Sequence, residues 1–511
     1  MSSASSDNED FTPVNYQNLL DVEEGCRLDK LIRSFREKAG CWPDYVVCSP
    51  GRVNLIGDHV DYHGFPVLPM AIERSIWLCC SVTGDNHDEV REESIRLFNN
   101  NQETYPDWNG EHSLCYGSSM RKSHRWQNYF LCGYHGILVR ELLKIDPAHI
   151  LNHTDELSLP LNNGNSSLNK LNQFKVVVDS DLPPASGLSS SSALVCASAI
   201  ATSLLLHHSN PDCGCLEKLI DTKVLADCCS KFEHLVGTHG GGMDQAVIMT
   251  AQLGYAKYVE FLPRLKCCNV RLPDGIAWLV SHCGVDYHKA STPGFNTRVL
   301  ETKLGAAYIA KISGFKDVEI DSTIRLAEIK DKLFKSASAH EIVDHIRTRI
   351  FKNRDCFTVD EICCTLEMSK SDLIRKFNTT DELLNNLPEN KLRLLSRCAH
   401  VFEEAERVER FTSICHTTTD IGLLGQLMTQ SHYSLRDKYD CSHPALDRLV
   451  SIALDAGALG SRLTGAGWGG CIVTMVEIEK CDTVFDRLNE VSKFTLRTEP
   501  RSGCQIIRLM K

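Results

Sequence analysis

The chain has 511 residues, 24% of them charged, and a formal net charge of −11. This length is enough for two or more domains with a large buried core. The negative charge argues against a nucleic-acid-binding protein, which needs a basic surface. It does not exclude a nucleotide site, because backbone N–H groups can hold phosphate inside an acidic protein.

The N-terminal segment is polar and acidic and lacks the basic start and apolar centre of a signal peptide. No apolar run is long enough to cross a bilayer. We therefore expect a cytoplasmic protein whose 24 cysteines are reduced and mostly buried. Two close cysteine pairs could ligate zinc, but neither has a second pair at finger spacing, which favours buried thiols. They are Cys213 with Cys215 and Cys363 with Cys364.

The predicted elements of the N-terminal half follow a flexible lead-in at residues 1–27. Leu28–Ala39 predicts an amphipathic helix and Tyr45–Ser49 a short strand that leads into Pro50 and Gly51. Residues 150–172 are rich in Asn, Ser and Leu without a clear period, which predicts a surface loop. The β-branched run Phe174–Asp179 predicts a strand, and the Ala- and Leu-rich stretch Ala193–Leu206 predicts a buried helix.

The C-terminal half begins with a predicted strand at Ile276–Val280. Helices are expected at 295–312 and 390–412, with a charged helical insertion at roughly 317–390. Thr358 in this insertion is a plausible N-cap, because acidic residues follow it. Glycines and a β-rich run at Gly469–Val476 predict a turn and a strand. Because the strands and helices do not alternate regularly, the order favours a two-domain α+β protein.

The first segment whose residues suggest a binding or catalytic role is Ser49–Tyr62. It places Arg52, Asp58, His59 and Asp61 between glycines. A polyhydroxyl ligand needs many directional donors and acceptors on one rigid loop, and these side chains supply them. The alternative is a polar surface turn. Dense charge directly after an apolar run makes that alternative weaker.

The second segment is Asp181–Ala193, a Ser- and Gly-rich stretch between a predicted strand and a predicted helix. Unpaired N–H groups and partial positive charge at a helix N-terminus favour phosphate, and small residues let the backbone approach it. No Gly-Lys-Ser/Thr follows, so the stretch is not a Walker A loop. The alternative is a Ser-rich linker, which would not normally be held between a strand and a buried helix.

The third segment is Gly460–Cys471, which is rich in glycine. Such a run indicates close backbone approach or residues with positive φ. By itself this glycine-rich run is weak evidence for a functional site, because a sharp turn before the next strand would also explain it.

In this order the three segments resemble the three motifs of the GHMP kinase superfamily, and the first resembles the galactokinase signature. The resemblance covers roughly residues 28–480. Several other stretches are most similar to the N-acetylgalactosamine kinase branch, as is the helical insertion. These stretches are Gly237–Gln245, Phe295–Val299, Gly425–His432 and Trp468.

The resemblance implies an ATP-dependent sugar-1-kinase with two α+β domains and an active site in the cleft between them. We expect an N-terminal domain at 28–273 and a C-terminal domain at 274–511. By position, Asp244 matches the catalytic base and Arg52 the cation beside it. The residues that match sugar-binding positions are Arg52, Asp58, His59, Asp61, Gly242, Asp244 and Phe295.

The resemblance also implies where ATP and Mg²⁺ would bind. The residues that match the triphosphate loop are Gly187, Ser189, Ser190 and Ser191. Ser192 and Glu233 are the candidate magnesium contacts. Trp126 and Tyr129 resemble the aromatic pair near adenine, although core packing explains them almost equally well. We expect a monomer that binds a small sugar and ATP, with no nucleic acid and no membrane partner.

The choice of sugar depends on departures from the family pattern. The family usually has Glu at Asp58, and the galactokinase branch tends to have Tyr at Phe295. Loss of that hydroxyl would suit a pocket that admits an N-acetyl group, so N-acetylgalactosamine is the expected acceptor, with galactose as the alternative. A third reading is a non-catalytic sugar sensor. Intact Ser191–Ala193, together with Arg52 and Asp244, argues against it.

Overall fold

The protein is described here from a computed structural model that covers residues 22–82, 94–111, 114–116, 125–143, 157–159, 173–207, 221–238, 240–287, 292–315, 319–417 and 420–509. The α-helices are α1 Val22–Ala39, α2 Trp126–Leu138, α3 Ser190–Leu206, α4 Thr222–Glu233, α5 Met243–Thr250, α6 Pro293–Ile312, α7 Leu326–Leu333, α8 Ala339–His345, α9 Val359–Leu366, α10 Lys370–Lys376, α11 Asp381–Asn385, α12 Leu395–Thr417, α13 Ile421–Ser434, α14 Pro444–Asp455 and α15 Cys481–Asn489. The strands are β1 Tyr45–Ile56, β2 Leu68–Val82, β3 Ser94–Asn99, β4 Trp108–Glu111, β5 Leu114–Tyr116, β6 Leu157–Leu159, β7 Gln173–Ser180, β8 Tyr255–Glu260, β9 Lys266–Arg271, β10 Ile276–His282, β11 Cys356–Thr358, β12 Lys391–Arg393, β13 Gly460–Leu463, β14 Cys471–Glu477, β15 Phe494–Thr498 and β16 Gln505–Arg508.

The larger sheet has the strand order β16-β1-β2-β7-β3-β4. The β3–β7 pair is parallel, and the other neighbours are antiparallel. Buried side chains of α2, α3 and α4 pack on one face of this sheet, and α1 packs on the other. The sheet is therefore covered on both faces, and it carries β1 into the middle of the core.

The second sheet has the order β13-β14-β10-β15 and is antiparallel throughout. Apolar side chains of α6, α12, α14 and α15 share a buried cluster with its strands. The insertion predicted at 317–390 contains α7–α11, and β11 pairs with β12 at its base. These residues form a second hydrophobic core, distinct from the one packed on the six-stranded sheet.

The chain returns to the first sheet at its C-terminal end, where β16 pairs with β1. The six-stranded sheet therefore contains residues from both predicted domains. The boundary between residues 273 and 274 stays a prediction.

Several predicted elements are confirmed, and others begin or end elsewhere. The strand Phe174–Asp179 lies within β7, and Ala193–Leu206 lies within α3. The strand predicted at Tyr45–Ser49 continues to Ile56, because the irregular pairing around Pro50–Arg52 accommodates the proline and glycine that were expected to end it.

Other boundaries also differ from the sequence prediction. α1 begins at Val22, within the lead-in expected to be flexible, and α12 begins at Leu395, after a short strand. Leu157–Leu159, inside the predicted 150–172 loop, pairs with β5; the other residues of that loop lie outside the described ranges. Thr358 does cap α9, in a capping box with Glu361.

The cysteines whose side chains are described are all free thiols. In the same part of the chain, no group of His, Cys, Asp and Glu side chains has the arrangement of a metal site. Cys213 and Cys215 lie outside the described residues. None of the described helices combines the length and apolar character that a bilayer crossing requires.

Candidate active site

The three sequence segments meet at the end of β1. The backbone N–H of Arg52 donates to the carbonyl of Leu188 at 3.2 Å, and the Arg52 guanidinium donates to the carbonyl of Gly187. A side chain at Gly465 would lie 2.7 Å from that same Gly187 carbonyl, so the third segment needs glycine there. The motifs are therefore in direct contact, as a single active site requires.

Arg52 and Asp244 form the central ion pair of this site. Two guanidinium nitrogens lie 2.7 and 2.8 Å from Asp244 Oδ1, and only 4% of Arg52 is exposed. Asp244 is in the first turn of α5, where the positive end of the helix dipole also favours a carboxylate. The cation and the helix terminus both stabilise the ionised form of Asp244, which is the form that can accept a proton.

The N-terminus of α5 packs tightly against the loop that carries Asp61. Asp61 Oδ2 accepts from the N–H groups of Gly241 and Met243 at 3.1 and 3.4 Å. A side chain at Gly241 would lie 2.3 Å from the backbone nitrogen of Tyr62. Gly242 has a φ of 105°, which turns the chain into the helix. This packing places Asp61 beside Asp244.

His59 makes protein contacts through both ring nitrogens. Nε2 lies 3.0 Å from the carbonyl of Ala466, and Nδ1 lies 3.2 Å from the hydroxyl of Tyr62. Because a carbonyl can only accept, Nε2 carries a proton, and Nδ1 is hydrogen-bonded to the Tyr62 hydroxyl. The ring stacks on Tyr439 at 4.4 Å, and the hydroxyls of Tyr62 and Tyr439 are hydrogen-bonded. The imidazole orientation is therefore set by the protein.

Asp58 lies in the pocket wall but is paired with a protein cation. Its side chain is buried, and Arg462 Nη2 lies 2.6 Å from Asp58 Oδ2. Arg462 also donates to the carbonyl of Asn54, and its side chain is fully buried. His400 Nε2 lies 3.2 Å from the backbone carbonyl of Asp58. Asp58 is thus held through its carboxylate by β13 and through its backbone carbonyl by α12.

Glu404 anchors the same loop from α12. Its carboxylate accepts from the N–H of Gly57 at 2.9 Å, the hydroxyl of Ser431 at 2.6 Å and Arg407 Nε at 2.7 Å. Burial raises the pKa of Glu404, but Arg407, Arg462 and these hydrogen bonds outweigh it and lower the pKa to about 2. Glu404 is therefore ionised at neutral pH and joins the first motif to α12 and α13.

The predicted phosphate loop has the features of an anion site. Gly187 and Ser189 have φ values of 80° and 62°, which turn the chain sharply into α3. Ser189 is the N-cap residue but makes no capping hydrogen bond, and its buried hydroxyl has no partner within the described structure. Ser190 and Ser191 begin the helix, where the first N–H groups have no helical acceptor. A bound phosphate would satisfy these donors.

Ser192 and Glu233 lie together, as expected for shared magnesium contacts. The Ser192 hydroxyl donates to Glu233 Oε2 at 2.8 Å. Gln245, next to Asp244, donates to the same carboxylate oxygen and lies 3.3 Å from the Ser192 hydroxyl. A carboxylate and a hydroxyl are hard oxygen donors of the kind that Mg²⁺ prefers, and usually only one or two such side chains are used when phosphates complete the shell. These residues therefore fit the ion.

Trp126 and Tyr129 lie at the start of α2 and do not line the pocket. Trp126 Nε1 donates to the carbonyl of Pro106 at 3.0 Å. Burial, followed by the nearby charge of Glu233, raises the pKa of Tyr129. Both rings pack against the first core. Their role near adenine stays a prediction.

One pocket contains all the predicted sugar-binding, catalytic and magnesium residues. Those residues are Arg52, Asp58, His59, Asp61, Ser192, Glu233, Gly242, Asp244 and Phe295. The phosphate-loop residues and the predicted aromatic pair are not part of its lining. Several contributors have no role assigned from the sequence, because their roles depend on burial and on contacts distant in the chain. They are Tyr62, Ser230, His234, Thr238, Gln245, Glu404, Tyr439, Arg462 and Ala466.

The same segments match known protein families. The galactokinase galactose-binding signature matches residues 33–82. The N-terminal domain of GHMP kinases matches residues 160–252, and their C-terminal domain matches residues 411–492. The matched regions include the first motif, the second motif, Asp244 and the third motif. Residues 83–159 and 253–410 lie between the three matches.

Full-length relatives give the same result. A galactokinase of Dictyostelium discoideum is 30% identical over 478 residues, or 88% of this chain and 84% of the relative. A galactokinase of Saccharomyces cerevisiae is 30% identical over 481 residues, or 87% and 85% of the two chains. The crystal structure of Lactococcus lactis galactokinase complexed with galactose covers 94% of this chain and 99% of its own, with a TM-score of 0.63 and 20% identity. That identity supports similarity of fold.

Proposed function

The chain belongs to the galactokinase family and has the two-domain α+β fold of the GHMP kinases, and from that premise we propose that it is an ATP-dependent sugar-1-kinase. It transfers the γ-phosphoryl group of ATP to the anomeric hydroxyl of galactose. The observation that carries the proposal is the Arg52–Asp244 pair, which lies in a pocket with polar side chains and touches the predicted phosphate loop.

Asp244 acts as the base in this proposal. Its carboxylate accepts the proton of the C1 hydroxyl as that oxygen attacks the phosphorus. Arg52 holds the carboxylate in place and, because it also contacts Gly187, supplies positive charge close to the transferring group. Phosphoryl transfer depends mainly on such positioning and charge neutralisation, so these two residues account for the main chemical requirement.

ATP is the co-substrate, held by the N–H groups at the start of α3 and the hydroxyls of Ser189–Ser191. Ser192 and Glu233 would hold Mg²⁺, which neutralises phosphate charge when bound. Gln245 keeps the Ser192 and Glu233 side chains together from the helix turn that carries Asp244. The intact Ser191–Ala193 stretch favours an enzyme over a sugar sensor.

Galactose is the main acceptor in this proposal, which differs from the N-acetylgalactosamine expected from the sequence. The change follows from the curated relatives, which are galactokinases. N-acetylgalactosamine stays the second candidate because of one observation. Phe295 lines the pocket and packs against Tyr62, so this wall offers a ring without a hydroxyl to the sugar.

The test is a comparison of kcat/KM for the two sugars with purified protein and Mg-ATP. We expect turnover of both, with the larger kcat/KM for galactose. A larger value for N-acetylgalactosamine would replace the first candidate by the second. Absence of turnover with either sugar would contradict the kinase proposal.

A further inference from the structure

Tyr287 connects three parts of the site without lining the pocket. Its hydroxyl accepts from the backbone N–H of Phe295 at 3.2 Å. Its backbone N–H donates to the carbonyl of Ala185 at 3.0 Å, directly before the phosphate loop. Its ring stacks on Trp468 with a centroid distance of 5.1 Å and an interplanar angle of 23°. One residue therefore contacts elements of the sugar, nucleotide and third-motif regions.

The contact with Phe295 replaces a helix cap. α6 begins with Pro293, and its N-cap residue Thr292 makes no side-chain capping hydrogen bond. The N–H of Phe295 has no acceptor within the helix, because it lies in the first turn. Gly294 gives this turn little stiffness of its own. The Tyr287 hydroxyl thus holds the backbone that carries the Phe295 ring into the pocket wall.

The space around Gly294 shows how closely these groups are packed. A side chain at Gly294 would lie 3.0 Å from the Tyr287 hydroxyl and 3.2 Å from the Trp468 ring. Phe295 packs with Tyr62 and with Trp468 in one small apolar cluster. A shift of the Tyr287 ring or hydroxyl would therefore reach the pocket through direct contacts.

The backbone before Tyr287 is held by the third motif. The N–H of Cys283 donates to the carbonyl of Gly470 at 2.9 Å, and the N–H of Gly470 donates to the carbonyl of Val285 at 2.8 Å. A side chain at Gly470 would lie 2.6 Å from the carbonyl of Ser186. The segment 283–287 is thus fixed between the third motif and the phosphate loop, and Tyr287 extends from a rigid base.

We propose that Tyr287 is a positioning residue that sets sugar affinity by holding the first turn of α6 against the pocket. The inference rests on the proposed function, since it names a residue that shapes the acceptor site of that reaction. The Tyr287 hydroxyl contacts Phe295 in the wall of the predicted sugar site, whereas the Tyr287 backbone N–H contacts Ala185 before the phosphate loop. The side chain therefore affects the sugar more than the nucleotide.

The experiment compares wild-type protein with Tyr287→Phe, which keeps the ring and the backbone N–H and removes only the hydroxyl. Loss of the neutral hydrogen bond to the Phe295 N–H predicts a rise of about three- to ten-fold in the KM for the sugar. The KM for ATP and the Tm stay close to the wild-type values. Tyr255→Phe, at an exposed site on β8, is the control and leaves both KM values unchanged.

An unchanged sugar KM in Tyr287→Phe would contradict the proposal, and so would an equal rise in the KM for ATP, because that indicates a general loss of structure. Calorimetric titration with galactose alone tests the positioning role without requiring turnover, so it is independent of the test of the kinase proposal. Weaker galactose binding by Tyr287→Phe than by wild type supports the positioning role even if neither protein turns over. Equal binding would contradict it.

Discussion

At the scale of single residues, the roles proposed for Arg52 and Asp244 rest on their geometry. The carboxylate lies at a helix N-terminus and 2.7 Å from a buried guanidinium, so both neighbours stabilise its charged form. Burying charges at this position is costly, and a buried ion pair often adds little to stability. The proposed role of Asp244 as the proton acceptor would account for the pair.

Replacement Asp244→Asn removes the proton acceptor and keeps nearly the same shape. We expect kcat to fall about a hundred-fold or more, the usual contribution of a general base. Calorimetry should show nearly unchanged binding of galactose and of ATP. Asp274→Asn, an exposed aspartate paired with Arg271, is the control. If the Asp244→Asn enzyme turned over at close to the wild-type rate, positioning by Arg52 would have to carry the reaction instead.

At the residue scale, the roles assigned from the sequence stay predictions, whereas the positions of the side chains can be compared with the structure. The pattern around Arg52–Asp61 and the Met-Asp-Gln stretch identified side chains that the structure brings into one pocket. It failed for partners that are distant in sequence. Arg462 stood in a glycine-rich run with no assigned role, yet it pairs with Asp58 over a separation of 404 residues. No local pattern predicts such a contact.

At the scale of elements, the pocket wall around Asp58 depends on a contact between β13 and the loop after β1. Asp58 is held by Arg462 and by His400, and Gly57 is held by Glu404. The loop has little regular structure of its own, apart from one short 3₁₀ turn at Asp61–His63. Its shape is therefore imposed by buried polar groups on other elements.

Arg462→Met tests this contact. It leaves the buried Asp58 carboxylate without its cation, so the free energy of unfolding should fall by about 3–5 kcal/mol, the usual cost of breaking a buried pair. Urea titration followed by fluorescence measures the change. Adding Asp58→Asn should recover part of the loss, because the uncompensated charge is gone. Arg487→Met, which breaks an exposed pair with Glu490, should leave stability nearly unchanged.

A loss of similar size in the surface control, or no recovery in the double variant, would contradict this account of the loop.

The element boundaries illustrate a related limit of sequence reasoning. Pro50 and Gly51 indicated the end of a strand, but the irregular pairing of β1 with β2 carries the strand to Ile56. Local breakers are overridden when a neighbouring strand supplies the hydrogen bonds.

At the scale of the whole molecule, two cores and a returning C-terminal strand hold the motifs together. β16 pairs with β1, which carries Arg52, and α12 reaches the same region with His400 and Glu404. Composition and element order predicted an α+β protein, and the fold comparison bears this out. The return of β16 was not predictable, because it depends on pairing between opposite ends of the chain.

His400 makes the stability of this arrangement sensitive to acid. Burial, reinforced by Arg407 and Arg462 and opposed by Glu404, lowers the pKa of His400 to about 3. Below pH 6.5 the unfolded chain gains a proton at this residue that the folded protein does not bind. The free energy of unfolding therefore decreases as the pH falls from about 6.5 towards 3, by about 2 kcal/mol between pH 7 and pH 5.

His400→Gln tests this pH dependence, since the amide keeps a donor for the carbonyl of Asp58 and an acceptor for Ser434. We expect its stability to fall by about 2 kcal/mol less than that of the wild type between pH 7 and pH 5 in urea titrations. His416→Gln, at an exposed position, should behave like the wild type. Parallel pH profiles for wild type and His400→Gln would show that His400 is not the sensitive group.

The most direct test of the central claim is the chemical identity of the product. Wild-type protein, Mg-ATP and galactose are incubated together, and the product is analysed by phosphorus and proton NMR. The account predicts one phosphate ester, with phosphorus coupled to the anomeric proton of the α-sugar. A phosphate on any other hydroxyl, or ATP consumption without a sugar phosphate, would contradict the assignment of this pocket as a sugar-1-kinase site.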